Sequence, residues 1–212
     1  FHGNTAVYER FFFFFRLSAR ELQEWKDAFF LMMKKITLKN NKRPLFKSPT
    51  HSYRIKTLLE MFPEARFINI VRNPYAVFPS TVNLRKQMFR ENGFANPDYS
   101  TVEEDVFHTY ELLVRTMERD VPLIPQGQFH EVKYEDYEQD ILGETKKIYD
   151  NLNFEGWSQL EPIIQSQLAA RKAYKKNKFK MEESLQRQIY ERLKFVFDKY
   201  GYPSDLPGTQ VA

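Results

Sequence analysis

The sequence predicts an α/β fold built on a short parallel sheet, and three observations carry that expectation. Phe67–Val71 (FINIV) is a short apolar run rich in β-branched residues and bounded by turn signals. Phe129–Tyr134 (FHEVKY) alternates as a strand does. Each run is followed at once by a helix start, and strands that alternate with helices lie parallel. Ligands of such sheets gather beyond the carboxyl ends of the strands.

The elements follow in order. Residues 1–16 contain the run Phe11–Phe15, which fits a buried strand or an apolar helix face equally well. Ser18 and Glu21 form a capping box before a helix carrying Leu22, Trp25, Phe29, Met32 and Met33. That helix fades over Leu38–Lys42. Pro44–Lys47 is a short strand candidate. Pro49 and Thr50 open a helix through Ile55, Leu58, Leu59 and Phe62, which Pro63 ends. After FINIV, Asn73 as N-cap and Pro74 at the first helical position start another helix, and Pro79 is expected to kink it. Residues 93–99 are a loop. Ser100 and Glu103 make a second capping box before a helix reaching about Arg119.

After FHEVKY, Asp136 is placed to cap a helix carrying Ile141, Ile148, Tyr149 and Leu152. Ser158 and Glu161 cap a further short helix. Residues 171–180 (RKAYKKNKFK) form a basic segment with no clear periodicity. The last helix spans about 182–200, stopped by Gly201 and Pro203. No repeat or long linker divides the chain, so residues 1–212 are expected to form a single domain.

Composition narrows the function classes. Apolar residues are 42% and charged residues 28%, the balance of a globular protein rather than a disordered one. Aromatics reach 16%, which predicts a core built on rings. The net charge of +4 suits an anionic small molecule as well as a nucleic acid. With no cysteine, thiolate chemistry and thiolate zinc sites are excluded. The four histidines form no HxH or HExxH pattern, so no metal is expected. No membrane-length apolar run and no signal peptide are visible. A cytoplasmic setting is the expectation, with no nucleic acid partner.

The residues with chemical potential sit at the predicted strand ends. Arg72 follows FINIV, beside a helix start whose free N–H groups favour an anion. Ser80 lies two turns on, on roughly the face of Asn73. Guanidinium, helix terminus and hydroxyl can together hold one phosphate; equally, Arg72 can cap a strand end and Ser80 can be an ordinary helical serine. Lys47 is suited to neutralising a leaving-group oxygen, or to lying on the surface. His51, one turn later, suits a general base toward a hydroxyl, or a helix cap. The Tyr134 ring can stack on a purine or pack in the core. Glu135 and Asp136 point to opposite faces and make a poor acid/base pair. The basic 171–180 segment can close over a phosphate or remain a solvated loop.

Taken together, KSPTHSYRI, FPEARFINIVRNPYAVFPST, VKYEDYEQD and AYKKN resemble the sulfotransferase family, most closely its bacterial-type branch, over about residues 8–202. The resemblance implies transfer of a sulfuryl group from 3′-phosphoadenosine 5′-phosphosulfate (PAPS) to a hydroxyl or amine of a small molecule or carbohydrate. It implies a three-layer α/β/α fold like that of P-loop nucleotide kinases. By position, Arg72 and Ser80 match the pair that holds the 3′-phosphate. Lys47 matches a lysine near the sulfuryl group, and Tyr134 a tyrosine near the adenine. Tyr174, Lys175 and Asn177 match a segment that closes over the nucleotide. His51 lies near a catalytic histidine of some members, at a longer spacing from Lys47.

One departure stands out. The family opens with a strand and an RSGTT-type loop that cradles the 5′-phosphosulfate, and Gly3 is the only glycine here before Gly93. The expectation is an N-terminally truncated sulfotransferase whose sheet lacks a strand beside FINIV, leaving apolar surface exposed there. A non-catalytic nucleotide- or polyanion-binding fragment is the rival from another class. A small-molecule kinase is a further rival, although the chain has no GK[ST] signature.

Overall fold

The computed structural model describes residues 10–14, 17–92, 98–170 and 181–205. They fall in two compact units, one within Phe1–Ala65 and Arg115–Ile124, the other within Arg66–Val114 and Pro125–Ala212.

In the first unit, helix α1 (Ala19–Lys39) starts at the predicted capping box. The Ser18 hydroxyl accepts the Glu21 N–H at 3.2 Å, and the Glu21 carboxylate accepts the Ser18 N–H at 2.8 Å. Rings hold this unit together, as the aromatic content foretold. Phe13 meets Tyr53 at 4.3 Å, Phe14 meets Trp25 at 4.6 Å, and Trp25 stacks on Phe29 at 4.9 Å. The Arg54 guanidinium lies 4.4 Å from the Phe14 ring centroid and 5.0 Å from that of Trp25. It also donates to the Phe11 carbonyl at 2.7 Å. The single helix expected from Pro49 is instead a 3₁₀ turn (Pro49–Tyr53) and a separate helix α2 (Ile55–Met61), divided at Arg54. Ile55 and Leu58 of α2 are buried.

Pro44–Lys47 forms no strand. It has no regular secondary structure, Leu45 is 87% exposed, and no neighbouring strand supplies ladder partners among the described residues. A strand exists only where another backbone accepts its N–H groups.

In the second unit, β1 (Phe67–Val71) and β2 (Phe129–Lys133) pair in parallel, with Val71 opposite Lys133. FINIV is not buried throughout. Val71 is buried, but Ile68 and Ile70 are 37% and 58% exposed. Successive strand residues face opposite ways, yet Val132, which lies opposite Ile70 on the same face, is buried, so the exposure on that face is on the β1 side. Helix α3 (Pro74–Asn92) follows β1 and includes Pro79 in its interior. Helix α4 (Val102–Asp120) packs its first turns in this unit. Its Ser100 hydroxyl donates to Asp98 at 2.9 Å rather than closing a capping box with Glu103.

After β2 come α5 (Tyr134–Gln139) and α6 (Ile141–Asn151). The cap of α6 is Asp140, which accepts the Gly143 N–H at 2.8 Å, and not Asp136, which lies exposed within α5. Helix α7 (Trp157–Ala170) starts one residue before Ser158, so Ser158 and Glu161 are interior positions rather than caps. Helix α8 (Glu183–Tyr200) ends at Gly201 in the left-handed conformation (φ 64°), which glycine adopts without a Cβ clash. Tyr75 and Phe78 of α3, Phe107 of α4, and Ile189, Leu193 and Phe197 of α8 form the core of this unit. Phe78 and Phe107 meet at 4.1 Å, and Tyr75 and Phe197 at 4.8 Å. The helical φ/ψ is interrupted at Leu193, whose side chain is fully buried.

Candidate active site

The parallel register sets the geometry of the second unit. With Val71 opposite Lys133, the next residue of each chain is Arg72 and Tyr134. The Arg72 guanidinium lies 4.3 Å from the centroid of the Tyr134 ring, a cation–π contact at the shared carboxyl end of the sheet. One step further, Asn73 meets Glu135, and the Asn73 N–H donates to the Glu135 carboxylate at 3.0 Å. The same carboxylate accepts the Tyr202 hydroxyl at 3.1 Å. Lys133 donates to the Tyr200 carbonyl at 2.6 Å, which ties the end of α8 to the end of β2.

Glu135 marks the electrostatics of this corner. Burial, then the Glu135 charge, pushes the Tyr110 phenol up to about 12. The same two causes, with the hydrogen bond to Glu135, raise Tyr202 well above the usual tyrosine range. Both phenols stay protonated, and Tyr202 remains a donor to the carboxylate.

The start of α3 differs from the expectation of an open anion site. Pro74 has no N–H, the Tyr75 N–H goes to the Asn73 side chain at 2.9 Å, and the Ala76 N–H goes to the Asn73 carbonyl, also at 2.9 Å. The Val77 N–H bonds the same carbonyl at 3.1 Å, while the Asn73 N–H belongs to Glu135. The Asn-Pro start caps its own helix and consumes the donors a phosphate would need. Any anion here is therefore held by side chains. Ser80 stands on an exposed part of α3, one heptad beyond Asn73.

In the first unit, Lys47 is exposed on the segment before the 3₁₀ turn. His51 sits in that turn, with its ring centroid 5.9 Å from that of Phe29 in an edge-on arrangement. Its Nδ1 is buried without a hydrogen-bond partner. Burial, then the Arg54 charge, holds its pKa below the ordinary histidine value, so the imidazole is neutral near neutral pH. Of the other histidines, His130 shares a 3.0 Å hydrogen bond with Asn151, and His108 is exposed on α4.

Of the residues singled out from the sequence, Arg72 and Tyr134 are in direct contact. Lys47 and His51 share one segment of the other unit. Tyr174, Lys175 and Asn177 lie outside the described residues. Glu135, which from the sequence is only half of a poor acid/base pair, holds the Asn73 N–H. Drawing FINIV and FHEVK in parallel register already places it opposite Asn73, whereas Tyr202 comes from the far end of the chain and carries no local signal.

A profile of the sulfotransferase family matches residues 5–159. The chain is 33% identical over 207 residues to a protein of Mycobacterium bovis named omega-hydroxy-beta-dihydromenaquinone-9 sulfotransferase Stf3. It matches the protein of the same name from Mycobacterium tuberculosis to the same extent. The alignments cover 98% of this chain and 53% of each relative, so the chain spans about half the length of these curated relatives. No solved structure matches. By the extent of the family match and this identity, the chain belongs to the sulfotransferase family.

Proposed function

We propose that this chain carries part of a PAPS-dependent sulfotransferase site, acting on a hydroxyl or amine of a small molecule. The observation that carries the reading is the pairing of Arg72 with Tyr134 at the joint carboxyl ends of β1 and β2. A parallel sheet delivers a nucleotide to this position. In this reading, Arg72 with the Ser80 hydroxyl binds the 3′-phosphate, and Tyr134 lies against the adenine. Because the guanidinium already covers one face of the Tyr134 ring, the purine takes the opposite face or displaces it. Tyr174, Lys175 and Asn177 are assigned to closure over the nucleotide. The wider architecture is proposed to be the P-loop-like α/β/α fold of the family, with residues 1–212 as one sulfotransferase-like domain.

Transfer is in-line. The acceptor oxygen or nitrogen attacks sulfur, and its proton passes to His51. The bond from sulfur to the 5′-phosphate oxygen breaks, and Lys47 meets the charge that develops on that oxygen. His51 suits the role because burial keeps its imidazole neutral and so able to accept a proton. Positioning and electrostatics supply most of the acceleration, as in phosphoryl transfer. A hydroxyl acceptor is favoured, since the Mycobacterium relatives are named for an ω-hydroxylated substrate.

Thermal-shift titration with 3′-phosphoadenosine 5′-phosphate tests the nucleotide half. Stabilisation by it and not by ATP is expected, and the reverse preference would favour a kinase. A radiolabelled sulfate-transfer assay then separates an enzyme from a nucleotide-binding fragment.

A further inference from the structure

Charge is segregated sharply along the first unit. Between Asp27 and Glu60 the chain carries eight Lys or Arg and no Asp or Glu. Six of the eight lie between Ala28 and Lys47, on the second half of α1 and the segment after it. Helix α1 turns Trp25, Phe29 and Met33 toward the aromatic cluster or into partial burial. Its opposite side is not the polar surface such a helix normally shows. Leu31 is 53% exposed, Met32 40% and Leu38 87%, and Leu45 beyond the helix is 87% exposed. Leu31, Lys34, Lys35 and Leu38 follow one another at i, i+3, i+4 and i+7, a single helical stripe. A shallow apolar groove lined by Ala28, Leu31, Met32, Lys35 and Ile36 lies beside it. Lys34 rests its ammonium 4.6 Å from the Phe30 ring centroid, so its stem covers apolar surface while its charge stays in water. The acidic residues of α1, Glu21, Glu24 and Asp27, are confined to its first half and bonded to Arg10, Arg20 and Gln23.

We propose that this face of α1, with the segment through Leu45, docks on an anionic lipid bilayer. Exposed leucines interleaved with lysines in a stretch without acidic groups match the two layers of a membrane surface. The leucines enter the acyl boundary and the lysines remain at the anionic headgroups. None of the described helices is long and apolar enough to cross a membrane, so the contact is interfacial. A nucleic acid would use the lysines and leave the leucines without a role. Docking here would bring a lipid-soluble acceptor within the protein's reach and goes beyond the nucleotide reading, on which it does not depend.

The test is co-sedimentation of the 212-residue chain with vesicles of phosphatidylcholine alone or mixed with phosphatidylglycerol, without nucleotide or acceptor. Binding to the mixed vesicles, little binding to phosphatidylcholine, and weakening by added salt are expected. Lys34→Ala and Lys35→Ala should each reduce partitioning about fivefold. Leu31→Ser and Leu38→Ser should reduce it as well, with unchanged circular dichroism because both side chains are exposed. The proposal is overturned if mixed vesicles bind no better than neutral ones, or if the leucine variants bind as the parent does. It is also overturned if Leu31→Ser instead abolishes self-association in sizing chromatography, which would make a second copy the occupant. Because nucleotide is absent, failure here leaves the sulfuryl-transfer reading intact.

Discussion

Replacing Arg72 by alanine separates its structural from its binding role. In the protein alone, the guanidinium contributes a cation–π contact with Tyr134 at 4.3 Å. At a half-exposed position that contact is worth about 0.5–1 kcal/mol, and losing that contact alone lowers Tm by about 1–4 °C for a chain of this length. If Arg72 also holds the 3′-phosphate, the variant loses a charge-assisted hydrogen bond worth about 1.5–3 kcal/mol. That corresponds to about 10- to 150-fold in Kd. The helix start contributes no compensating donors, because its N–H groups are bonded to Asn73 and Glu135. The assay is calorimetric titration of parent and Arg72→Ala with two ligands, 3′-phosphoadenosine 5′-phosphate and adenosine 5′-phosphate. The parent should prefer the 3′-phosphorylated ligand, and the variant should lose about that factor of the preference, keeping only what the Ser80 hydroxyl supplies. A folded Arg72→Ala protein that keeps the full preference would refute the assignment and return Arg72 to a strand-end role.

Three further outcomes follow from named contacts. Glu135→Gln removes the charge that raises Tyr110 and Tyr202, so both phenols should ionise at lower pH in a tyrosinate absorbance titration; an unchanged titration would mean burial alone sets them. His51 has a depressed folded pKa, so the stability it contributes is full above about 6.5 and is lost as pH falls through that value toward the folded one. In turnover, the acid limb should sit below about 6.5, and Arg54→Gln should move it upward by removing the neighbouring charge. Asp140→Ala deletes the cap of α6 and should cost about 1 kcal/mol in urea unfolding, whereas Asp136→Ala at its exposed site should change stability by no more than about 0.5 kcal/mol.

Much of the fold was legible because its signals are local. The Ser18–Glu21 box, the bounds of FINIV, the Asn73-Pro74 start and the Gly201 stop rest on contacts within a few residues of each other. The misreadings share a cause. Pro44–Lys47 has strand-like composition and no partner strand among the described residues. Asp136 and Asp140 are equally good caps by type, and the chain's path after β2 selects Asp140. The helix terminus at Asn73 is not open, because Asn73 takes the Tyr75, Ala76 and Val77 N–H groups locally and Glu135, 62 positions away, takes its own.

The sequence by itself therefore determined the family, the two strands and the order of basic residues at their ends, since all are patterns of short range. Tertiary structure decided that Arg72 lies over Tyr134, that Glu135 claims the backbone donor beside it, and that His51 is neutral. Each depends on register between distant segments or on removal from water, and neither quantity is carried by any local run of residues.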